Sequence, residues 1–221
     1  MANKKVFRNA SSQNPLPIEL PEPTFDGGKT VMEALRQRKT IREIRDKRLP
    51  LQVLSNLFWA ACGVNRKKVA IGLCGRTAAS ASNSQEIDLY VIMKQGAFFY
   101  DAVRHTLIPV LAEDLSSVAL GEGQPDIGAY APVRIIYVAD IDKLANTAGF
   151  QEPGLRDPEI QKSYYFVDTG LIAGNVYLFA ASYGLAAWFH NCDRAALAKR
   201  LKLRTDQRVL FGQTVGYPLK K

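Results

Sequence analysis

Apolar residues recur along this chain with two different periods, and each change of period marks a change of element. Residues 30–35 (TVMEAL) open on a threonine, carry a glutamate three positions later and place Val31, Met32 and Leu35 on one stripe, which predicts a short capped helix ending in cations. Residues 51–61 repeat the helical spacing at Leu51, Leu54, Leu57, Phe58 and Ala61, with Pro50 before and Gly63 after, and predict a second helix. Residues 65–76 read as a basic, glycine-containing loop, and 78–85 (AASASNSQ) as a polar loop of small residues. The period then falls to that of strands: 87–93 (IDLYVIM), a turn at Gly96, and 97–100. Within this run Asp88 alternates with apolar neighbours and is expected at the surface. Residues 108–120 read as helical, 121–128 as a glycine-rich connector, and 133–139 (VRIIYVA) as a buried strand rich in β-branched residues.

The longest helical pattern spans 158–183 and is apolar around most of its circumference, with Gly170, Ala173, Gly174, Ala180 and Ala181 offering room for a close helix neighbour. Such a helix lies in the middle of a domain or at a subunit interface. Gly184 ends it, 185–189 (LAAWF) read as strand, Asp193 caps a helix over 194–203, and 209–217 form the last strand. Residues 1–28 carry Pro15, Pro17, Pro21 and Pro23 with little periodicity, an extended arm ahead of one domain over 29–221. The sum is an α+β fold, several helices around an antiparallel or mixed sheet.

Composition narrows the class. In 221 residues, 47% hydrophobic and 10% aromatic, there is material for a substantial core. No run is long enough to span a bilayer and the N-terminus lacks an apolar leader, so a cytoplasmic location is expected. Three widely spaced cysteines argue against a disulfide framework or a zinc site and are expected as free thiols. The net charge of +8 attracts polyanions of any kind. Single-stranded nucleic acid would want aromatics interleaved with cations, whereas Phe98, Phe99, Tyr164, Tyr165, Trp188 and Phe189 sit inside apolar runs; nucleic acid is therefore the disfavoured partner.

For the crowded cations Arg36, Arg38, Lys39 and Arg42 two readings stand: complements to a helix dipole, or, with the Thr40 hydroxyl, a clamp for a phosphate group. No GxGxxG joins a strand to a helix, no P-loop is present, the serines lack a nucleophile elbow, and His105 and His190 are the only histidines. A basic clamp without catalytic side chains suits an enzyme whose cofactor carries the chemistry.

Four elements in order resemble the FMN-dependent nitroreductase family. Residues 38–42 (RKTIR) are similar to its RRS-x-R opening, 79–85 (ASASNSQ) to its PSS-x-N-x-Q loop, and Gly184-Leu185 and Val215-Gly216-Tyr217-Pro218 fall where it has GLG and VGYP. The arm residues 20–23 and Gly27-Gly28 look most like the SagB-type dehydrogenase branch. The resemblance implies a nitroreductase-like, mostly antiparallel sheet surrounded by helices, in a homodimer with FMN at the interface. It further implies NAD(P)H as donor and a small electron-poor acceptor, nitroaromatic or quinone, in ping-pong exchange; the SagB likeness implies instead dehydrogenation of an azoline-type peptide ring. Carried onto this chain, Arg38, Lys39, Thr40 and Arg42 hold the FMN phosphate and ribityl chain, with Lys220 and Lys221 completing the site. Ser80, Ser82, Asn83 and Gln85 approach the ring from the other subunit, Gln124 its pyrimidine edge, and Phe189, His190 and Asn191 its reactive side. Ala79 and Ala81 stand where the family loop has a proline and a serine, and the turn 188–192 (WFHNC) is bulkier and more polar than the family's.

Overall fold

The computed structural model describes residues 15–70, 74–121 and 131–220. A seven-stranded sheet runs through it in the order β1-β6-β5-β4-β7-β9-β8, with every neighbouring pair antiparallel. The strands are β1 (Ile18–Glu19), β4 (Ile87–Met93), β5 (Gly96–Asp101), β6 (Thr106–Leu111), β7 (Val133–Asp140), β8 (Ala186–His190) and β9 (Gln207–Gly216). A separate two-stranded hairpin, β2 (Val64–Arg66) with β3 (Gly75–Arg76), forms where the sequence predicts only a basic loop.

Why the central strands read as near-continuous apolar runs is now physical. β4 and β7 lie in the middle of the sheet and are covered on both faces, so successive side chains enter two different cores. Leu89, Val91 and Met93 of β4 join Val133, Ile135, Tyr137 and Ala139 of β7 in the larger core, against helices α2 (Leu51–Cys62) and α5 (Pro158–Ser182). Tyr90 and Ile92 join Ile136 and Val138 in the smaller one, under α6 (Arg194–Arg200) and the short α3 (Ser116–Ala119).

The helix ends follow their caps. Thr30 accepts the Glu33 N–H at 3.3 Å to start α1 (Val31–Gln37), and Asp157, with Pro158 behind it, accepts from Glu159 at 2.8 Å to start α5. At 25 residues α5 is about 37 Å long. It stops because Gly184 takes φ +67° and the Leu185 N–H returns to the Ala180 carbonyl at 2.8 Å, a closure that an L side chain would strain.

Three expectations are corrected. Residues 106–111 are a strand: β6 pairs with β5 and β1, and Pro109 is tolerated beside a register shift that accommodates its missing N–H. Only 116–119 of the predicted helix is helical. Asp88 is buried, because Lys143, from α4 (Ile141–Ala145), reaches across to pair with it at 2.6 Å. The described part of the arm lies along the body: Leu20 N–H bonds the His105 carbonyl, and Thr24 N–H bonds Asn56 Oδ1 at 3.0 Å.

Candidate active site

The chain turns out of α1 at Arg38, whose N–H still bonds Ala34, and runs as a strap along the edge strand β8. Ile41 N–H bonds the Ala187 carbonyl at 3.0 Å, and Thr40 Oγ1 lies 3.1 Å from the Tyr177 hydroxyl of α5, which also accepts the Phe189 N–H at 2.9 Å. The Arg38 guanidinium sits 5.5 Å from the centre of the Tyr177 ring and that of Arg42 5.7 Å from Trp188. The aromatic rings thus hold the guanidinium stems without neutralising them. Among the described residues no carboxylate pairs with Arg38, Lys39 or Arg42, and all three are exposed. Three uncompensated cations and a hydroxyl on one short strap have the chemistry to accept an anion.

The C-terminus comes to the same place. Leu219 N–H bonds the Glu43 carbonyl at 2.9 Å and Arg45 grips the Leu219 carbonyl, so Lys220 stands beside the strap, 3.9 Å from Glu43.

The 80–85 loop is built differently. Its Ser82, Asn83 and Gln85 have φ of 49°, 56° and 53°, a left-handed conformation costly for residues with a Cβ. A dense web holds it. Ala81 N–H bonds Asp168 Oδ2 at 2.9 Å, Gln85 N–H bonds Ser80 Oγ at 3.0 Å, and Ser84 Oγ–H bonds Glu86 Oε2 at 2.6 Å. The side-chain amides of Asn83 and Gln85 both donate to the Cys74 carbonyl, at 3.0 and 2.7 Å, and Arg76 Nε donates to Gln85 Oε1 at 2.8 Å. Asn83 and Gln85 therefore stiffen the loop; Ser80 and Ser82 are half-buried, Ser80 accepting the Gln85 N–H and Ser82 lying against Gly149.

Strap and loop both rest on α5, one on Tyr177, the other on Asp168, nine residues apart (177 − 168). Nine residues are two and a half helical turns, about 13 Å, which puts the two contacts on opposite sides of the helix. Strap and loop therefore lean on different sides of α5.

A further face of α5 is open among the described residues. Val167, Gly170, Leu171 and Gly174 follow one another at helical spacing, Val167 and Leu171 are 60% and 45% exposed, and a Cβ built on either glycine meets nothing within 4 Å. On α1, Val31, Met32 and Leu35 are likewise exposed. Exposed apolar residues grouped on a helix face are of the kind found where proteins meet.

At the end of β8 alternation separates the candidate residues. Phe189 packs on the α5 side against Phe211 and Tyr137. His190 points the other way and is buried, with Nδ1 2.7 Å from the Asn191 carbonyl and Nε2 2.8 Å from Thr214 Oγ1. Nδ1 donates to that carbonyl, and burial pulls the pKa below the usual histidine value, which favours a neutral ring with Nε2 accepting from the threonine. The structure does not bring His190 to the strap. Asn191 is exposed beyond it, near Arg194. Gln124 and Lys221 lie outside the described residues.

Sequence reasoning missed Tyr177, Asp168, Glu86 and Arg76. Asp168 left a trace: it is a lone acid inside an otherwise apolar stretch of a helix expected to be buried.

The strap, the braced loop and the long central helix under a seven-stranded antiparallel sheet define a class. The chain belongs to the nitroreductase family, whose model matches residues 35–217; it is an oxidoreductase of a family that generally uses a flavin and is typically dimeric. It is similar to a nitroreductase-type protein of Ralstonia eutropha JMP134 of known structure, 33% identical, covering 99% of this chain and 97% of that one with a TM-score of 0.82. A nitroreductase-type protein of Methanocaldococcus jannaschii is 28% identical over 160 residues, 69% of this chain and 74% of the other. A chain of the E. coli microcin synthetase McbBCD complex shares the fold at 16% identity, with 97% and 77% coverage and a TM-score of 0.67. No helix among the described residues is long and apolar enough to cross a membrane.

Proposed function

We propose that the protein is an FMN-dependent oxidoreductase that takes electrons from NAD(P)H and passes them in ping-pong order to a small electron-poor acceptor, working as a homodimer with two shared sites. The observation that carries this reading is the strap, three cations without counter-charge beside a hydroxyl, which fits a phosphate dianion. The flavin, when bound, supplies the two-electron exchange for which the side chains have no equivalent.

The residues divide the remaining work. Arg38 and Arg42 fork onto the phosphate, Lys39 adds charge, and Thr40, fixed by Tyr177, offers its hydroxyl. Lys220, with Lys221 after it, adds charge from the C-terminus. Ser80 and Ser82 of one protomer meet the ring held by its partner, while Asn83 and Gln85 keep that loop in shape. The opposite placement of strap and loop on α5, with the unpartnered apolar stripe on α5 and α1, supports the dimer. Phe189 excludes water beside the strap, and His190 takes no part at the ring. Gln124 is assigned the pyrimidine edge by its place in the chain.

Purified protein is expected to be yellow or to become so with FMN, and to consume NAD(P)H in the presence of a quinone or nitroaromatic. Protein that stays colourless after incubation with FMN overturns the proposal. The fold shared with the McbBCD chain supports a second reading, oxidation of an azoline-type peptide ring by the same bound flavin; product analysis with the two substrate classes separates them.

A further inference from the structure

Beneath the 80–85 loop lie two carboxyl groups with no cation of their own. Glu86 is fully buried; its Oε2 accepts the Ser84 hydroxyl at 2.6 Å, and its Oε1 has no hydrogen-bond partner among the described residues. Asp168 is buried on α5 and accepts the Ala81 N–H at 2.9 Å. One acid therefore holds the loop at residue 81 and the other at 84, on either side of the left-handed pair Ser82 and Asn83.

The surroundings do not neutralise them. Arg76 from β3 and Cys62 from α2 share a small cavity with Asp168, but Arg76 donates to Gln85 Oε1 and the Cys62 carbonyl. Asp140, at the end of β7, meets Glu86 only through its backbone N–H, 2.8 Å from the Glu86 carbonyl, while its side chain pairs with Arg204. Asp88, two residues on, is paired with Lys143. Neither Glu86 nor Asp168 has an ion pair among the described residues.

We propose that Glu86 and Asp168 form a clasp with one titrating member: positioning residues that hold the strained 80–85 loop shut, at Ser84 and at Ala81, while the buried Glu86 keeps its proton, and loosen it when Glu86 gives that proton up. A carboxyl group buried without a cation resists ionising. Burial, helped by the charge of Asp168 and opposed by the Ser84 hydroxyl, pushes Glu86 from 4.5 up to about 7. In the open loop the group returns to its ordinary value and gives up its proton more readily. Opening is therefore favoured progressively as pH climbs from 4.5 to about 7 and levels off above. The clasp stands on the loop's own geometry; only its effect on flavin rests on the reading above.

Hydrogen exchange of the Ala81 and Gln85 amides in the full chain tests it, each rate being divided by the intrinsic rate at that pH. In the wild type the opening equilibrium is expected to rise at least about tenfold from about pH 5.5 to about pH 8. Glu86→Gln keeps an acceptor for Ser84 but has no charge to gain, and its profile is expected to be flat. A flat wild-type profile, or the same rise in Glu86→Gln, overturns the clasp. Should that variant not fold, carboxyl-carbon NMR of the wild type decides: a Glu86 midpoint near 7 upholds the clasp, and one near 4.5 overturns it. FMN affinity is expected to weaken over the same range in the wild type and not in Glu86→Gln. Failure to bind FMN at any pH defeats the proposed function and leaves amide exchange as the judge of the clasp.

Discussion

The strap and the loop, the two halves of the proposed flavin site, are built in opposite ways. Residues 38–42 expose their cations, fasten themselves with a few bonds to Tyr177 and Ala187, and leave their charge unanswered. Residues 80–85 answer nearly every polar group internally, in a backbone conformation that the bonds must enforce. Like charges on the strap repel one another until an anion arrives, so its stabilisation comes on binding. The loop is assembled beforehand, and its energy belongs to the fold. This predicts that damage to the strap costs affinity first and damage to the loop costs stability first.

The largest expected effect is on the strap. Replacing Arg38 and Arg42 together by alanine is expected to weaken FMN binding by about 3 kcal/mol or more, two charged hydrogen-bonding groups being lost. The melting temperature should stay within a few degrees, because in the free protein the removed cations make only exposed contacts with the Tyr177 and Trp188 rings. Flavin titration followed by fluorescence, beside a thermal melt, reads both; a large fall in melting temperature with unchanged affinity would reverse the comparison.

Gln85→Ala comes next, from the other side. It strips the partner from Arg76 Nε and a donor from the Cys74 carbonyl and leaves the strained φ in place, an expected loss of about 1–3 kcal/mol in chemical denaturation. Affinity for FMN should follow stability and not exceed its loss. Tyr177→Phe sits between the two regions: it removes the hydroxyl shared by Thr40 and the Phe189 N–H, and about 1–2 kcal/mol is expected to divide between stability and FMN affinity. The smallest effect belongs to Lys220→Ala. Lys220 is largely exposed and 3.9 Å from Glu43, so its removal should change FMN affinity by under about 1 kcal/mol, and that difference should vanish in high salt.

Much of this fold is written in local pattern. The strands β4 and β7 were legible because burial on both faces leaves no room for polar alternation, and the bounds of α5 because Asp157, Pro158 and Gly184 each satisfy or terminate a backbone end in their own neighbourhood. Residues 106–111 were not: an apolar run interrupted by Pro109 fits a helical spacing as well as a strand, and only pairing with β5 and β1 chooses. Asp88 misled for a related reason. Alternation predicts a solvent face, but the partner that makes burial tolerable, Lys143, lies 55 residues away.

For the site the division is the same. The amino-acid sequence alone determined that cations crowd the end of a short helix, that a polar loop of small residues precedes a buried strand, and that the order of these pieces is that of a nitroreductase. Only the tertiary structure decided that strap and loop lean on opposite sides of α5, that His190 turns away from Phe189, and that Glu86 and Asp168 brace the loop at Ser84 and Ala81. Helix caps, turn residues and periodicity act over a few positions and can be read in order. The meeting of distant side chains depends on how layers stack, and no local pattern carries that information.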